Sequence, residues 1–160
     1  MMNSIGRSNA LLGALDNLSK LINASACMII DERGLLISDC IKSDIDKNAM
    51  AILSSLLSGA GNKFIEKLNL KELDSVVINT PKGMFLIKDV PVSQLDRKFT
   101  LSIFFEKNGK MNKKQKSSKV SKFLAAFFKR SSPKKNGYLD QKLFSIVNQS
   151  VEEIQSIFLK

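Results

Sequence analysis

The stretch SACMIIDERGLLISDC, Ser25–Cys40, decides how the rest of the chain is read. An apolar run, Ala26–Ile30, meets the polar tetrad Asp31-Glu32-Arg33-Gly34, and a second apolar run follows at once. Asp31 suits the first position of a tight turn, where a short carboxylate can accept a bond from the backbone two residues on. Gly34 suits the last position. The stretch therefore reads as a β-hairpin of two buried antiparallel strands. If Asp31 pairs with Gly34, Cys27 faces Ser38, and Cys40 is a diagonal neighbour about 7–8 Å away, beyond the reach of a disulfide. Cys27 and Cys40 are the only cysteines, and they read as small buried apolar residues in a reducing cytoplasm.

Outward from the hairpin, periodicity assigns the neighbouring elements. Before it, Ser8 or Asn9 can cap a helix running to about Ile22, with Leu11, Leu15, Leu18 and Ile22 on one face. Met1–Arg7 reads as a loose end. After it, Ser43-Asp44-Ile45-Asp46 offers caps for a long helix over Lys47–Leu68. Met50, Leu53, Leu57, Ala60, Phe64 and Leu68 recur at three- and four-residue spacing, which predicts one buried face. The same helix holds Ser54, Ser55, Ser58, Gly59 and Gly61. A glycine inside a helix costs about 1 kcal/mol relative to alanine. Two explanations stand: small residues admit another backbone closely, or the helix bends there.

A second hairpin follows, with Leu73–Asn79 and Met84–Val90 flanking Thr80-Pro81-Lys82-Gly83, a proline and glycine placement that fits a type I turn. Phe99–Phe105 (FTLSIFF) alternates, with Phe99, Leu101, Ile103 and Phe105 on one face, and predicts a half-buried strand. At the C-terminal end, Leu139–Leu159 is amphipathic, with Phe144, Val147, Val151, Ile154 and Phe158 in register. The organisation is thus a domain over 8–106, a basic insert over 107–137 and an amphipathic helix within 138–160, read as the domain's last helix.

At 160 residues, with 44% apolar and 25% charged residues, the chain is long enough for one globular domain with a real core. The longest apolar run is Phe123–Phe128, too short to cross a bilayer. Leu11–Leu15 is too short for a signal core, so the expected location is cytoplasmic. The net charge of +10 is concentrated. Of 25 basic residues, 11 lie between Lys107 and Lys135 with no acidic residue among them, leaving 14 basic against 15 acidic groups elsewhere. This is a near-neutral domain with a basic insert, not a basic domain.

Several chemistries have no carrier. The chain has no histidine, which removes the commonest general base and metal ligand. Two isolated cysteines match no zinc spacing. No phosphate-cradling G-x-x-x-x-G-K-[ST] loop exists, and Gly59-x-Gly61 lies in a helical pattern rather than after a strand. Asp44 and Asp46 read as helix caps rather than cation ligands. No catalytic, cofactor or metal residue is assigned, and an enzyme acting alone is not expected.

The ordered set LLGALDNLSKLI, ASACMIIDERGLLISDC, AMAILSSLLSGAGNKFIEKL, LDSVVINTPKGMFLIKDV and FTLSIFFE, spanning Asn9–Glu106, resembles the Roadblock / dynein light chain family. Longin, profilin and small sensor domains share parts of this layering. The resemblance implies an α+β fold of order α-β-β-α-β-β-β-α. In it a five-stranded antiparallel sheet is sandwiched between helices and the third strand lies at an edge. It also implies a homodimer made by pairing that strand and packing the second helices. On this chain that surface would comprise Leu53, Ser54, Leu57, Ser58 and Gly61 of the helix with Ser75, Val76, Val77 and Ile78 of the strand. Family members commonly bind Ras-like small GTPases as regulators or scaffolds, and GTPase-activating members need no inserted arginine. The implied role is a non-enzymatic regulator or scaffold. The rival reading is a structural or nucleic-acid-associated protein without a GTPase partner.

The basic insert departs from the family pattern. Its segment Lys119–Arg130 (KVSKFLAAFFKR) predicts a short helix with Phe123, Leu124 and Phe127 opposite Lys119, Lys122 and Lys129, and Arg130 at its end. Three readings compete. The phenylalanines cover the domain's own sheet; or the helix lies on an anionic membrane; or the lysines bind nucleic acid. The last is least favoured, because the insert has no tyrosine, tryptophan or recognised module. For the membrane reading the contacts are Lys119, Lys122, Phe123, Phe127, Lys129 and Arg130, at the inner face of the membrane.

Overall fold

A computed structural model describes residues 4–107 and 137–160. The elements are α1 (Ser4–Ile22), β1 (Ala26–Asp31), β2 (Leu36–Ile41), α2 (Lys47–Lys67), β3 (Val76–Asn79), β4 (Gly83–Val92), β5 (Arg97–Glu106) and α3 (Gly137–Leu159), with a 3-10 turn at Ser93–Leu95. The five strands form one antiparallel sheet in the order β2-β1-β5-β4-β3, so β3 is an edge. The α+β class and the edge position of the third strand are as the family resemblance implies. Helix α1 begins four residues before Ser8, within the stretch read as a loose end.

The first hairpin turns as its residues dictate. The Gly34 amide donates to the Asp31 carbonyl at 3.0 Å, and Gly34 sits at φ 83°, a left-handed conformation that favours glycine. Asp31 Oδ1 accepts from the amides of Arg33 and Leu35 at 2.9 and 2.8 Å. Partial burial works against ionisation of this carboxyl, but the Leu35 amide, the Arg33 side chain and the Arg33 amide together hold it below the usual carboxylate range. Beyond the turn the register departs from the expected one. Ile30 faces Leu36 but Ile29 faces Ser38, so Ile37 is an extra residue and the ladder bulges. The turn itself closes on Leu35, whose carbonyl accepts from the Asp31 amide at 2.9 Å, one residue later than expected; that offset and the bulge's extra residue together set Cys27 directly opposite Cys40 rather than Ser38.

The sheet is covered on both faces. On one, α1 and α3 bury Leu15, Leu18 and Ile22, with Val147 and Ile154, against Ile29, Leu86, Leu101, Ile103 and Phe105. The rings of Phe99 and Phe158 stack there at 4.0 Å. Each fully buried aliphatic side chain contributes about 1.5–3 kcal/mol, so this layer holds most of the apolar stabilisation. The other face is thinner: Ala26, Met28, Ile30 and Phe104 meet Met50 and Ala51 of α2. Strand β5 is therefore buried on both sides over Phe99–Phe105, not half-buried as its alternation predicted. Its off-face residues Thr100 and Ser102 are simply the polar floor beneath α2.

Strand β4 outruns β3. Pairing ends at Val76 opposite Ile87, while β4 continues to Val92 along β5. Pro91 has no N–H to offer a further partner strand, and its carbonyl accepts instead from Gln155 Nε2 of α3 at 2.7 Å. β3 is accordingly shorter, and β4 longer, than their sequence runs implied.

Candidate interaction surface

Helix α2 starts where its cap dictates: Asp46 Oδ1 accepts from the amides of Asn48 and Ala49 at 3.0 and 3.1 Å. It then runs unbroken through Gly59 and Gly61. A Cβ on Gly61 would lie 2.8 Å from Leu73 Cδ2 and 3.1 Å from Val76 Cγ2. What the missing side chain at Gly61 admits is the side chains of Leu73 and Val76, from the chain's own approach to β3, rather than another backbone.

The face that α2 turns inward is not the predicted one. Of the six large or apolar residues expected to be buried, Met50 is; Leu53, Ala60, Phe64 and Leu68 are exposed and Leu57 is half-buried. The inward stripe is Met50, Ala51, Ser54 and Ser58. The serines meet polar groups on the sheet. Ser54 Oγ donates to Ser102 Oγ at 2.8 Å, both residues being buried. Asp89 of β4 accepts from Ser58 Oγ, from Asn62 Nδ2 at 3.0 Å and from Lys98 Nζ of β5. A carboxylate shielded from water in this way would be costly without partners; with three donors it is satisfied. Small side chains and directional bonds hold α2 close to the sheet where an apolar seam was expected.

What remains outside is a large apolar stripe. Ile52, Leu53, Leu56 and Phe64 are 54%, 57%, 63% and 61% exposed. Leu53, Leu56 and Phe64 lie on the outer and β3-facing sides of the helix, whereas Ile52 lies about 100° round from Leu53, against Gly34 of the first hairpin's turn. Beside them runs the free edge of β3, with Val77 exposed and Ser75, Val76 and Ile78 half-buried. An apolar patch of this extent beside an unpaired strand marks an interaction site.

The sequence-predicted surface residues fall into two groups. Leu53, Leu57, Val76, Val77 and Ile78 border this patch, with Ser75 bonded to Asp74 at its margin. Ser54 and Ser58 are turned into the chain's own sheet and are not available to a partner, and Gly61 lies against Leu73 and Val76. Leu56 and the outward direction of Phe64 were missed. The signal existed: serine and alanine at 51, 54 and 58 form a second stripe, and two stripes on one helix mean two surfaces to be covered. Lys119, Lys122, Phe123, Phe127, Lys129 and Arg130 lie outside the described residues.

Where β3 falls short of β4, a groove of about 800 Å³ opens between the end of α2 and α3, lined by Asn62, Leu73, Lys88, Asp89 and Gln155 among others. Four of its charged residues form two ion pairs, Lys88 with Asp74 and Lys98 with Asp89. Lys88 Nζ bonds Asp74 Oδ1 at 2.6 Å, a contact that holds the Asp74 carboxyl below its ordinary range. Among the described residues, no three His, Cys, Asp or Glu side chains are grouped to hold a metal ion. Nor is any helix there long and apolar enough to cross a membrane.

No family model and no curated protein matches the sequence. Solved structures do. The chain is similar to MglB of Myxococcus xanthus at 16% identity, with a TM-score of 0.65 over 99% of this chain and 93% of that one. The gliding protein MglB of Thermus thermophilus superposes with a TM-score of 0.65 at 10% identity, covering 98% and 93% of the two chains. A Roadblock/LC7 domain from Streptomyces avermitilis gives 0.61 at 10% identity, over 93% and 98%. Sheet order, helix placement and near-complete mutual coverage agree: the chain has the Roadblock/LC7 fold.

Proposed function

We propose that the protein is a non-enzymatic, homodimeric regulator or scaffold of a Ras-like small GTPase. The observation that carries this reading is the exposed stripe Leu53, Leu56 and Phe64 beside the unpaired edge of β3. Two copies related by a two-fold axis would pair β3 with β3 and set the α2 stripes against each other, which satisfies both features at once. The fold shared with MglB and Roadblock/LC7 domains supports a GTPase as the partner, as the sequence resemblance implied. Residues Leu53, Leu57, Val76, Val77 and Ile78 form the proposed dimer surface, with Leu56 and Phe64 added to it.

The basic insert is proposed as a tether to an anionic membrane, each lysine near such a surface contributing about 1 kcal/mol. Lys119, Lys122, Phe123, Phe127, Lys129 and Arg130 are the residues proposed to make that contact. Deleting residues 107–137 should abolish binding to acidic liposomes and leave dimerisation intact; undiminished liposome binding would refute the tether. The GTPase reading is tested by pull-down from host lysate in parallel with GDP and a non-hydrolysable GTP analogue. Recovery of a Ras-like protein preferentially in one nucleotide state supports it. Recovery in neither state removes it.

A further inference from the structure

Cys27 and Cys40 are both free thiols, and the register beyond the bulge sets them directly opposite each other across β1 and β2. Directly opposed antiparallel residues have Cα atoms about 4.5–5.5 Å apart, inside the ~4.4–6.8 Å that a disulfide bridges. Opposed residues also project to the same face of the sheet, and both cysteines pack in the layer beneath α1. The two thiols differ in access. Cys27 is fully buried, whereas Cys40 is half-buried on an edge strand. Around Cys40 Sγ lie Ser19 Oγ at 3.6 Å and Asp16 Oδ1 at 3.7 Å. Lys42 Nζ bonds the same Ser19 hydroxyl at 2.7 Å, and Lys20 is paired with Asp16. A small polar oxidant can therefore reach one sulfur through a polar rim while the other lies directly across the ladder in a dry interior.

We propose that Cys27 and Cys40 close into a reversible cross-strand disulfide when the protein meets hydrogen peroxide. In the first step the Cys40 thiolate attacks one peroxide oxygen. The S–O bond forms, the O–O bond breaks, and the departing hydroxide takes up the thiol's proton as water, leaving a sulfenic acid at Cys40. In the second step Cys27 sulfur attacks Cys40 sulfur. The S–S bond forms, the S–O bond breaks, and the leaving hydroxide takes the Cys27 proton as a second water. Two thiols lose two electrons in all, and one peroxide is reduced to two waters. Burial pushes the Cys27 thiol up to about 12, with Cys40 adding to the effect and Lys42 opposing it. The second step is accordingly the slower one, and proximity drives it. A small thiol reductant reverses the bond by exchange. This site lies on the β2 side of the sheet, away from the β3 edge, and does not depend on the proposed GTPase role.

The test treats the reduced full chain with stoichiometric hydrogen peroxide and maps it under non-reducing conditions. The expected product is a monomeric chain lighter by two hydrogen atoms, with free thiols falling from two to none and a single peptide joining Cys27 to Cys40. Its melting temperature should exceed that of the reduced chain. Cys40→Ser should leave Cys27 reduced at the same dose, and Cys27→Ala should let a sulfenic-acid probe label Cys40. Two free thiols after treatment, added oxygen at Cys40 beside a free Cys27, or a bond between two chains would each overturn the proposal. The wild-type map decides the matter without either variant.

Discussion

Leu53→Ala is the sharpest probe of the α2 surface, because its effect on the fold and its effect on association separate. The side chain is 57% exposed in the single chain. The substitution removes three carbons, worth about 2.4 kcal/mol at about 0.8 kcal/mol each if fully transferred out of water. Scaling by the exposed fraction leaves about 1.4 kcal/mol that a partner could add per copy, and a two-fold axis doubles it to about 2.7 kcal/mol per dimer. The dimer dissociation constant should therefore rise about 100-fold. Thermal unfolding of dilute, monomeric protein should change by less than about 0.5 kcal/mol, since alanine is a better helix former and the site is outside the core. Sedimentation equilibrium over a concentration series measures the first quantity, and circular dichroism melts measure the second. An unchanged dissociation constant would refute the assignment of this face. A large loss of monomer stability would show instead that Leu53 is part of the core.

Asp89→Ala should destabilise the fold by about 3 kcal/mol, because it strands the Ser58 hydroxyl and the Asn62 amide beneath α2 and frees Lys98; Asp89→Asn should cost less, and urea titration of both variants checks the order. Gly83→Ala places a Cβ 2.3 Å from the Phe105 carbonyl oxygen and 2.6 Å from the Phe104 ring, so the protein should melt well below wild type or fail to fold in a solubility and melting assay. Acid should lower the protein's stability in part through Asp31 and Asp74. Their folded-state values are depressed, so their stabilisation is fully present above the unfolded value of about 3.9 and is lost as pH falls through the folded values. Replacing Asp31 with Asn should flatten that acid limb in urea titrations from about pH 5 to about pH 2, the range over which such a carboxylate takes up its proton; an unaltered slope would exclude its contribution.

The arrangement of elements was legible because turn chemistry and periodicity are local. Asp31 and Gly34 specify their turn whatever packs around it, Asp46 caps α2 by its own carboxylate, and Leu15, Leu18 and Ile22 repeat at helical spacing on the face that is buried. The register of β1 on β2 was not legible, because a turn that closes one residue later, on Leu35, and one inserted residue, Ile37, change every pair beyond them without changing composition. The inward face of α2 was misread for a related reason. Apolar periodicity reports which residues leave water, but not what covers them. Leu53 and Phe64 read as core, while Ser54 and Ser58 become acceptable inside only because Ser102 and Asp89 lie across from them, 48 and 31 residues away in the chain.

The two borders of the sheet differ in kind. The β2 border is bent by the bulge at Ile37 and carries Asp39, which is paired to Lys47 at 3.5 Å. The β3 border is short, straight and apolar, with no charged residue from Val76 to Asn79. A ribbon with one capped end and one receptive end can grow in one direction only. If strands join across β3, the product is a continuous ten-stranded sheet whose two outer margins are both the capped kind, so addition terminates at two copies and no fibre is seeded.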